Sequence, residues 1–197
     1  VWVSRAGLGA KLAERVAKLG AAMDGGARPA ADSLCLVAPL GRDATTAALD
    51  EGLDPMRTLA VDCLLSTEKH RTLMTTPLTG DAMRDAAHGL LASDGVPVSV
   101  IHDSPGFVAQ RVLAQIVNIA SDIAQQRIAT PEDIDIAVTL GLGYPQGPLA
   151  WGDAIGPAPI LAILEALFDF YGDPRYRPSP WLKRRARLGV SLLTQES

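Results

Sequence analysis

The sequence predicts an α/β half followed by an all-α half, and three observations carry that division. Over residues 1–101, short β-branched or aliphatic runs alternate with stretches of helical periodicity, the pattern of a mostly parallel sheet. At Asp103-Ser104-Pro105-Gly106 the alternation stops, because proline and glycine break the last strand and open a long helix. Everything after that point has helical spacing. The expected domains are therefore 1–103 and 104–197.

Taken in order, Val1, Trp2 and Val3 read as a strand, followed by a helix over 8–19 with Leu8, Leu12, Val16 and Leu19 on one face. The apolar run 33–38 is a short buried strand, 44–52 a helix, 58–64 a strand and 72–76 a weaker strand. A helix over 81–92, started by the side chain of Thr79 or Asp81, leads to a closing strand over 96–101. Past the Pro-Gly break, the helix 107–126 carries Val108, Val112, Ile116, Ala120 and Ile123 at helical spacing, which predicts a core-facing stripe. Thr130 as a side-chain cap, Pro131 where no N–H is needed and Asp133 at the positive end predict a helix over 132–140 that stops at Gly141. The glycines and prolines of 141–148 fix a tight loop, with Tyr144 and Trp151 packed under it. The next helix, 157–171, is apolar almost all round apart from Glu165 and Asp169. Such a helix needs cover on several sides, at the centre of a bundle or against a partner. A last helix over 179–193 completes the all-α half.

Composition narrows the function classes. Apolar residues make up 48% of the 197, enough for a substantial core. A net charge of −4 gives no general attraction to nucleic acid or to an anionic membrane. Lys183, Arg184, Arg185 and Arg187 cluster, and read as the solvated last turns of a helix, where cations suit the dipole. Cys35 and Cys63 sit in apolar runs without metal-ligand spacing, as small core hydrophobes of a reducing, cytoplasmic compartment, and no metal site is expected. No apolar run reaches the ~18 residues of a membrane span, and no secretory signal is visible. The chain opens directly on a strand without Met, as expected of a piece of a longer protein.

Four signatures occur in one order: Asp103-Ser104-Pro105-Gly106-Phe107-Val108-Ala109-Gln110-Arg111, then Thr130-Pro131-Glu132-Asp133-Ile134-Asp135, then Gly141-Leu142-Gly143-Tyr144-Pro145-Gln146-Gly147-Pro148, then Gly172-Asp173-Pro174-Arg175-Tyr176-Arg177-Pro178-Ser179-Pro180. Together they resemble the C-terminal helical domain of the NAD-dependent 3-hydroxyacyl-CoA dehydrogenases. The resemblance implies a reduced Rossmann-like parallel sheet followed by a helical domain like the C-terminal domain of 6-phosphogluconate dehydrogenase. It also implies a parent enzyme that oxidises 3-hydroxyacyl-CoA to 3-oxoacyl-CoA with NAD, in fatty-acid or aromatic-acid degradation. In that family the helical domain builds the dimer interface and one wall of the acyl-CoA pocket.

The chemistry implied by the resemblance is missing upstream. A dinucleotide fingerprint needs G-x-G-x-x-G, because glycines let the pyrophosphate approach the backbone and the helix N-terminus. Here the hexamer is Ser4-Arg5-Ala6-Gly7-Leu8-Gly9, with only Gly9 in place and Ser4 and Ala6 replacing the first two glycines. Asp24 stands twenty residues after Ser4, at the offset of a ribose-binding acid, but Gly25-Gly26 behind it favour a turn. The family's base is a His at a strand end in His-Phe-Phe-Asn-Pro, oriented by a Glu twelve positions later, with an Asn before the Arg of the Pro-Gly-Phe helix. Counted back from Ser104, these positions fall on Asp62, Met74 and Gln110. His70, His88 and His102 read as surface or capping residues.

Two readings follow. One is a self-contained oxidoreductase with a substituted site. The other is the non-catalytic second half of a longer, duplicated dehydrogenase, expected to hold no cofactor itself. Its helices, 107–126 and 157–171 with Ile160, Leu161, Leu164, Leu167 and Phe168, would then meet a second copy or the missing N-terminal half. The second is the expectation here; a non-enzymatic interaction module has no residue in its favour.

Overall fold

The computed structural model describes residues 1–196. The chain forms two compact units, Val1–Phe107 and Val108–Ser197.

The first unit is α/β. Its elements are β1 (Trp2–Val3), α1 (Gly9–Lys18), β2 (Cys35–Val37), α2 (Ala44–Asp50), β3 (Thr58–Val61), β4 (Arg71–Thr75), α3 (Asp81–Ala92) and β5 (Val98–Ile101). The sheet order is β1-β2-β3-β4-β5, each strand beside the next in sequence. All pairs are parallel except β3 and β4, where Ala60 faces Met74 in antiparallel register. The nine residues 62–70 between them explain the exception, since a parallel return needs a crossover of roughly a dozen residues or more. Strand alternation fills both faces. Leu34, Leu36, Leu59, Val61 and Leu73 pack with Leu12 and Val16 of α1 and Ala87 and Leu91 of α3. Cys35, Val37, Ala60 and Met74 pack on the other face with Ala44, Ala47 and Ala48 of α2. Both cysteines are free and buried, and burial pushes the Cys63 thiol up to about 12.

Beyond β1 no further strand is added among the described residues. Instead the segment 22–26 lies along it: Asp24 N donates to the Val1 carbonyl at 2.8 Å, and Trp2 Nε1 donates to the Gly26 carbonyl at 3.0 Å. On α3 the expected cap is wrong. Gly80 occupies the N-cap without a side-chain bond, and the Thr79 hydroxyl instead accepts from Thr76 N at 2.9 Å.

The Asp-Ser-Pro-Gly-Phe string ends this unit, and the residues at its two ends hold the chain in place. The Asp103 carboxylate accepts from Ala44 N at 2.7 Å, Thr45 N at 3.2 Å and the Thr45 hydroxyl, at the start of α2. Phe107, held at φ 48, puts its ring 1% exposed into the α2-side core. A non-glycine residue with positive φ costs about 1–2 kcal/mol, and full burial of a Phe side chain offsets it by about 1.5–3 kcal/mol.

The second unit is all-α: α4 (Ala109–Gln125), α5 (Pro131–Leu142), α6 (Pro148–Ile155), α7 (Pro157–Tyr171), a 3-10 turn (Pro174–Tyr176) and α8 (Pro180–Leu188). Three expectations need correction. The buried face of α4 is Gln110, Leu113, Ala114, Val117, Asn118, Ala120, Ser121 and Ala124; of the expected stripe Ala120 is buried, Ile116 and Ile123 are half-buried, and Val108 and Val112 are exposed. Most of that face is polar or alanine, so apolar spacing alone could not identify it. The loop expected over 141–148 is shorter, 143–147: α5 runs through Gly141 to Leu142, and an unexpected helix, α6, starts at Pro148 and contains Trp151. Finally, α7 is covered within its own unit by α4, α6, α8 and the 3-10 turn. No single helix among the described residues is long and apolar enough to cross a membrane.

Candidate functional site

The β1–α1 loop is where a dinucleotide would lie, and three of its N–H groups, those of Ala6, Leu8 and Gly9, bond to acceptors of the chain itself. Ser4 is buried. Its hydroxyl accepts from Ala6 N at 3.0 Å and donates to Glu51 Oε2 at 2.6 Å. Leu8 N donates to the Ala38 carbonyl and Gly9 N to the Ala6 carbonyl, both at 2.9 Å. A Cβ on Gly9 would stand 1.9 Å from the Ser4 carbonyl, so this glycine serves the close packing of α1 against β1. Asp24 accepts from Gly26 N at 3.0 Å, Ala30 N at 2.8 Å and Ser33 Oγ at 2.6 Å, a turn that holds its carboxyl down at about 2.

These residues do not fit a dinucleotide. The N–H groups of Ala6, Leu8 and Gly9 point to acceptors of the chain itself, and the Glu51 carboxylate would face an incoming pyrophosphate with like charge. The hollows beside the loop measure 170 Å³, lined by Trp2, Ser4, Met23 and Asp24, and 230 Å³, lined by Ala6, Pro39, Arg42 and Glu51. Both fall below the ~300–1,000 Å³ of ordinary ligand pockets. Glu51 had no signal in the sequence: it lies outside any motif, and only the fold brings it across 47 positions to Ser4.

The three positions expected to carry the chemistry lie in separate surroundings. Asp62 follows β3; its carboxylate accepts from Leu64 N at 3.0 Å and its N–H donates to the Thr72 carbonyl at 3.1 Å. Met74 is fully buried in β4, its sulfur accepting from Ser104 N at 3.4 Å. A thioether cannot orient a base by charge. Gln110 is buried in the core face of α4. His70 is exposed beside Ser99 Oγ at 3.1 Å, and His102 is exposed after β5.

In the helical unit the motif residues act as staples. Thr130 Oγ1 caps α5 by accepting from Asp133 N at 3.2 Å. Asp135 reaches from α5 to the first turn of α6, accepting from Leu149 N and Ala150 N, both at 2.8 Å. Gly147 lets it do so, since a Cβ there would lie 2.2 Å from the Asp135 carboxyl carbon. Tyr144 and Trp151 meet edge to face at 6.3 Å. Asn118 of α4 accepts from Ser179 N at 2.8 Å and donates to the Arg177 carbonyl at 3.0 Å, tying down the last motif.

Two further expectations change. Ile160, Leu161, Leu164 and Leu167 are core of their own unit rather than surface for a partner; Phe168 stays exposed, with Phe170 and Tyr171. Arg185 is not solvated: it is buried, stacks 3.1 Å over the Trp181 ring and donates to the Thr194 carbonyl through Nη2 at 2.5 Å. Burial lowers its pKa, as desolvation of a cation must.

Comparison with known proteins agrees with the motifs. Residues 106–192 match the family described as 3-hydroxyacyl-CoA dehydrogenase, C-terminal domain. Over 117 residues the chain is 41% identical to a 3-hydroxyadipyl-CoA dehydrogenase of Escherichia coli K12, which covers 59% of this chain and 25% of that protein. Over 114 residues it is 38% identical to a 3-hydroxybutyryl-CoA dehydrogenase of Clostridioides difficile, covering 58% of this chain and 39% of that one. The match thus spans only a quarter to two fifths of those relatives' length. Among solved structures, a 3-hydroxybutyryl-CoA dehydrogenase from Escherichia coli K12 superposes with a TM-score of 0.69 at 35% identity, over 78% of this chain and 31% of that one. The (S)-3-hydroxybutyryl-CoA dehydrogenase PaaH1 of Ralstonia eutropha shares the fold, with a TM-score of 0.72 at 24% identity over 85% of this chain and 62% of that one. With its four motifs and its helices in place, the helical part of this chain, residues 106–192, matches the 3-hydroxyacyl-CoA dehydrogenase C-terminal domain family.

Proposed function

We propose that this chain is the C-terminal part of a longer NAD-dependent 3-hydroxyacyl-CoA dehydrogenase and that it contributes packing rather than chemistry. The parent oxidises a 3-hydroxyacyl-CoA to the 3-oxoacyl-CoA; this part supplies a helical surface that meets a second copy or the first helical domain of the same protein. One observation carries the non-catalytic reading: in the loop that should cradle the cofactor, Ser4 Oγ stands where a glycine is needed, takes the Ala6 N–H, and holds the Glu51 carboxylate beside it. Met74 supports it, since a buried thioether stands where the orienting acid would be and cannot orient a base by charge.

The test is binding and turnover by the chain itself. Calorimetry with millimolar NADH should show no saturable heat, and acetoacetyl-CoA with NADH should show no oxidation of the cofactor. General acid–base catalysis alone is worth about 10²–10⁴-fold, so loss of base and orienting acid leaves no measurable rate. Turnover that survives purification and disappears in Asp62→Asn would overturn the reading.

A further inference from the structure

We infer that the Ser4–Glu51 hydrogen bond is an internal latch that does for the β1–α1 loop what a bound anion does in a nucleotide site, so that the loop is ordered without any ligand. In nucleotide-binding loops the backbone N–H groups and the helix N-terminus converge on a phosphate oxygen. Here the oxygen inside the turn is Ser4 Oγ, buried and accepting from Ala6 N at 3.0 Å.

A hydroxyl that gives its proton to a carboxylate becomes a better acceptor, because chained hydrogen bonds polarise one another. Glu51 Oε2 takes that proton at 2.6 Å, the length of a charge-assisted O–H···O⁻ bond. Glu51 is itself held in place. It caps the C-terminus of α2, and its carbonyl accepts from Arg28 Nη1 at 2.6 Å. Because α1 and α2 pack on opposite faces of the sheet, the latch joins the two layers around the ends of β1 and β2. Gly9 completes the closure: only a residue without Cβ brings α1 this near the Ser4 carbonyl.

Hydrogen exchange at the Ala6 amide of the full chain, read by NMR, tests the latch. Ser4→Ala should speed that exchange about ten-fold, the effect of losing one hydrogen bond of ordinary worth, while amides within α3 keep their rates. Glu51→Gln, which keeps the shape and removes the charge, should give a smaller rise. In the double variant the two effects should fall short of their sum, the mark of directly coupled groups. Millimolar pyrophosphate should leave the wild-type Ala6 rate unchanged. Equal Ala6 rates in wild type and Ser4→Ala, or full additivity with Glu51→Gln, would overturn the latch. If Ser4→Ala does not fold, Glu51→Ala reads the same coupling from a half-buried position, and an unchanged Ala6 rate there overturns it too. The exchange arms need no cofactor, so they are independent of the non-catalytic reading: NADH binding sinks that reading, whereas an unmoved Ala6 amide sinks the latch.

Discussion

At the residue scale, single acids close turns and helix starts by accepting from backbone N–H groups. Asp103 closes the start of α2, Asp24 closes a turn, and Asp135 joins two motifs that lie apart in the sequence. Asp135→Ala removes both acceptors for the first turn of α6 and should destabilise the helical unit by about 2–3 kcal/mol, the range for hydrogen bonds to a charged group. Asp135→Asn, which keeps one carbonyl oxygen, should recover part of that. Urea unfolding followed by circular dichroism decides it, and a change within error for Asp135→Ala would show that α6 caps itself. The sequence displayed Asp103 and Asp135 inside their motifs but not what they bind. Their partners, Ala44 and Leu149, become partners only when separate elements dock.

At the element scale, period and punctuation located most helices and strands to within a few residues. The failures share a cause. Helix α6 was hidden because Gly147 and Pro148 read as loop, although proline at a first helical position is favourable. The stripe of α4 was partly misplaced because its buried face includes the polar Gln110, Asn118 and Ser121 while Val108, Val112 and Ile119 are exposed. The all-round apolar character of α7 was read as surface for a partner, whereas three helices and a turn already enclose it. The consequence can be measured. Leu164→Glu should unfold the helical unit, because an unpaired charge in that core is costly. Val112→Glu, at a position 51% exposed, should stay within about 0.5 kcal/mol of wild type. If α4 and the exposed Phe168, Phe170 and Tyr171 meet a second copy, Val112→Glu should also weaken self-association in sedimentation. Unchanged association would remove α4 from the interface.

At the scale of the whole molecule, the acid limb of stability is set in the α/β unit. The Arg71 guanidinium, buried in β4, grips Asp94 through two bonds of 2.7 Å and holds its carboxyl down at about 2, as the turn donors do for Asp24. Both groups have an ordinary value of 3.8, so their contribution is fully present above that pH and is lost as pH falls through about 2. Urea midpoints should therefore drop between pH 4 and pH 2. Asp94→Asn should lower the midpoint at neutral pH and flatten the slope in that window. A slope equal to that of wild type would mean that other carboxylates carry the acid transition.

The segment 22–26 beside β1 has one more effect. A bare strand edge is a template on which another chain can zip. Here the Val1 carbonyl is taken by Asp24 N and the Gly26 carbonyl by the Trp2 indole, so what faces outward is irregular chain with no ladder to extend. The same Asp24 carboxylate shapes this turn through Gly26 N, Ala30 N and Ser33 Oγ. Asp24→Ala should shorten the lag before thioflavin-positive aggregates form under agitation while leaving the sheet folded, and an unaltered lag would show that the edge is silent without its cover.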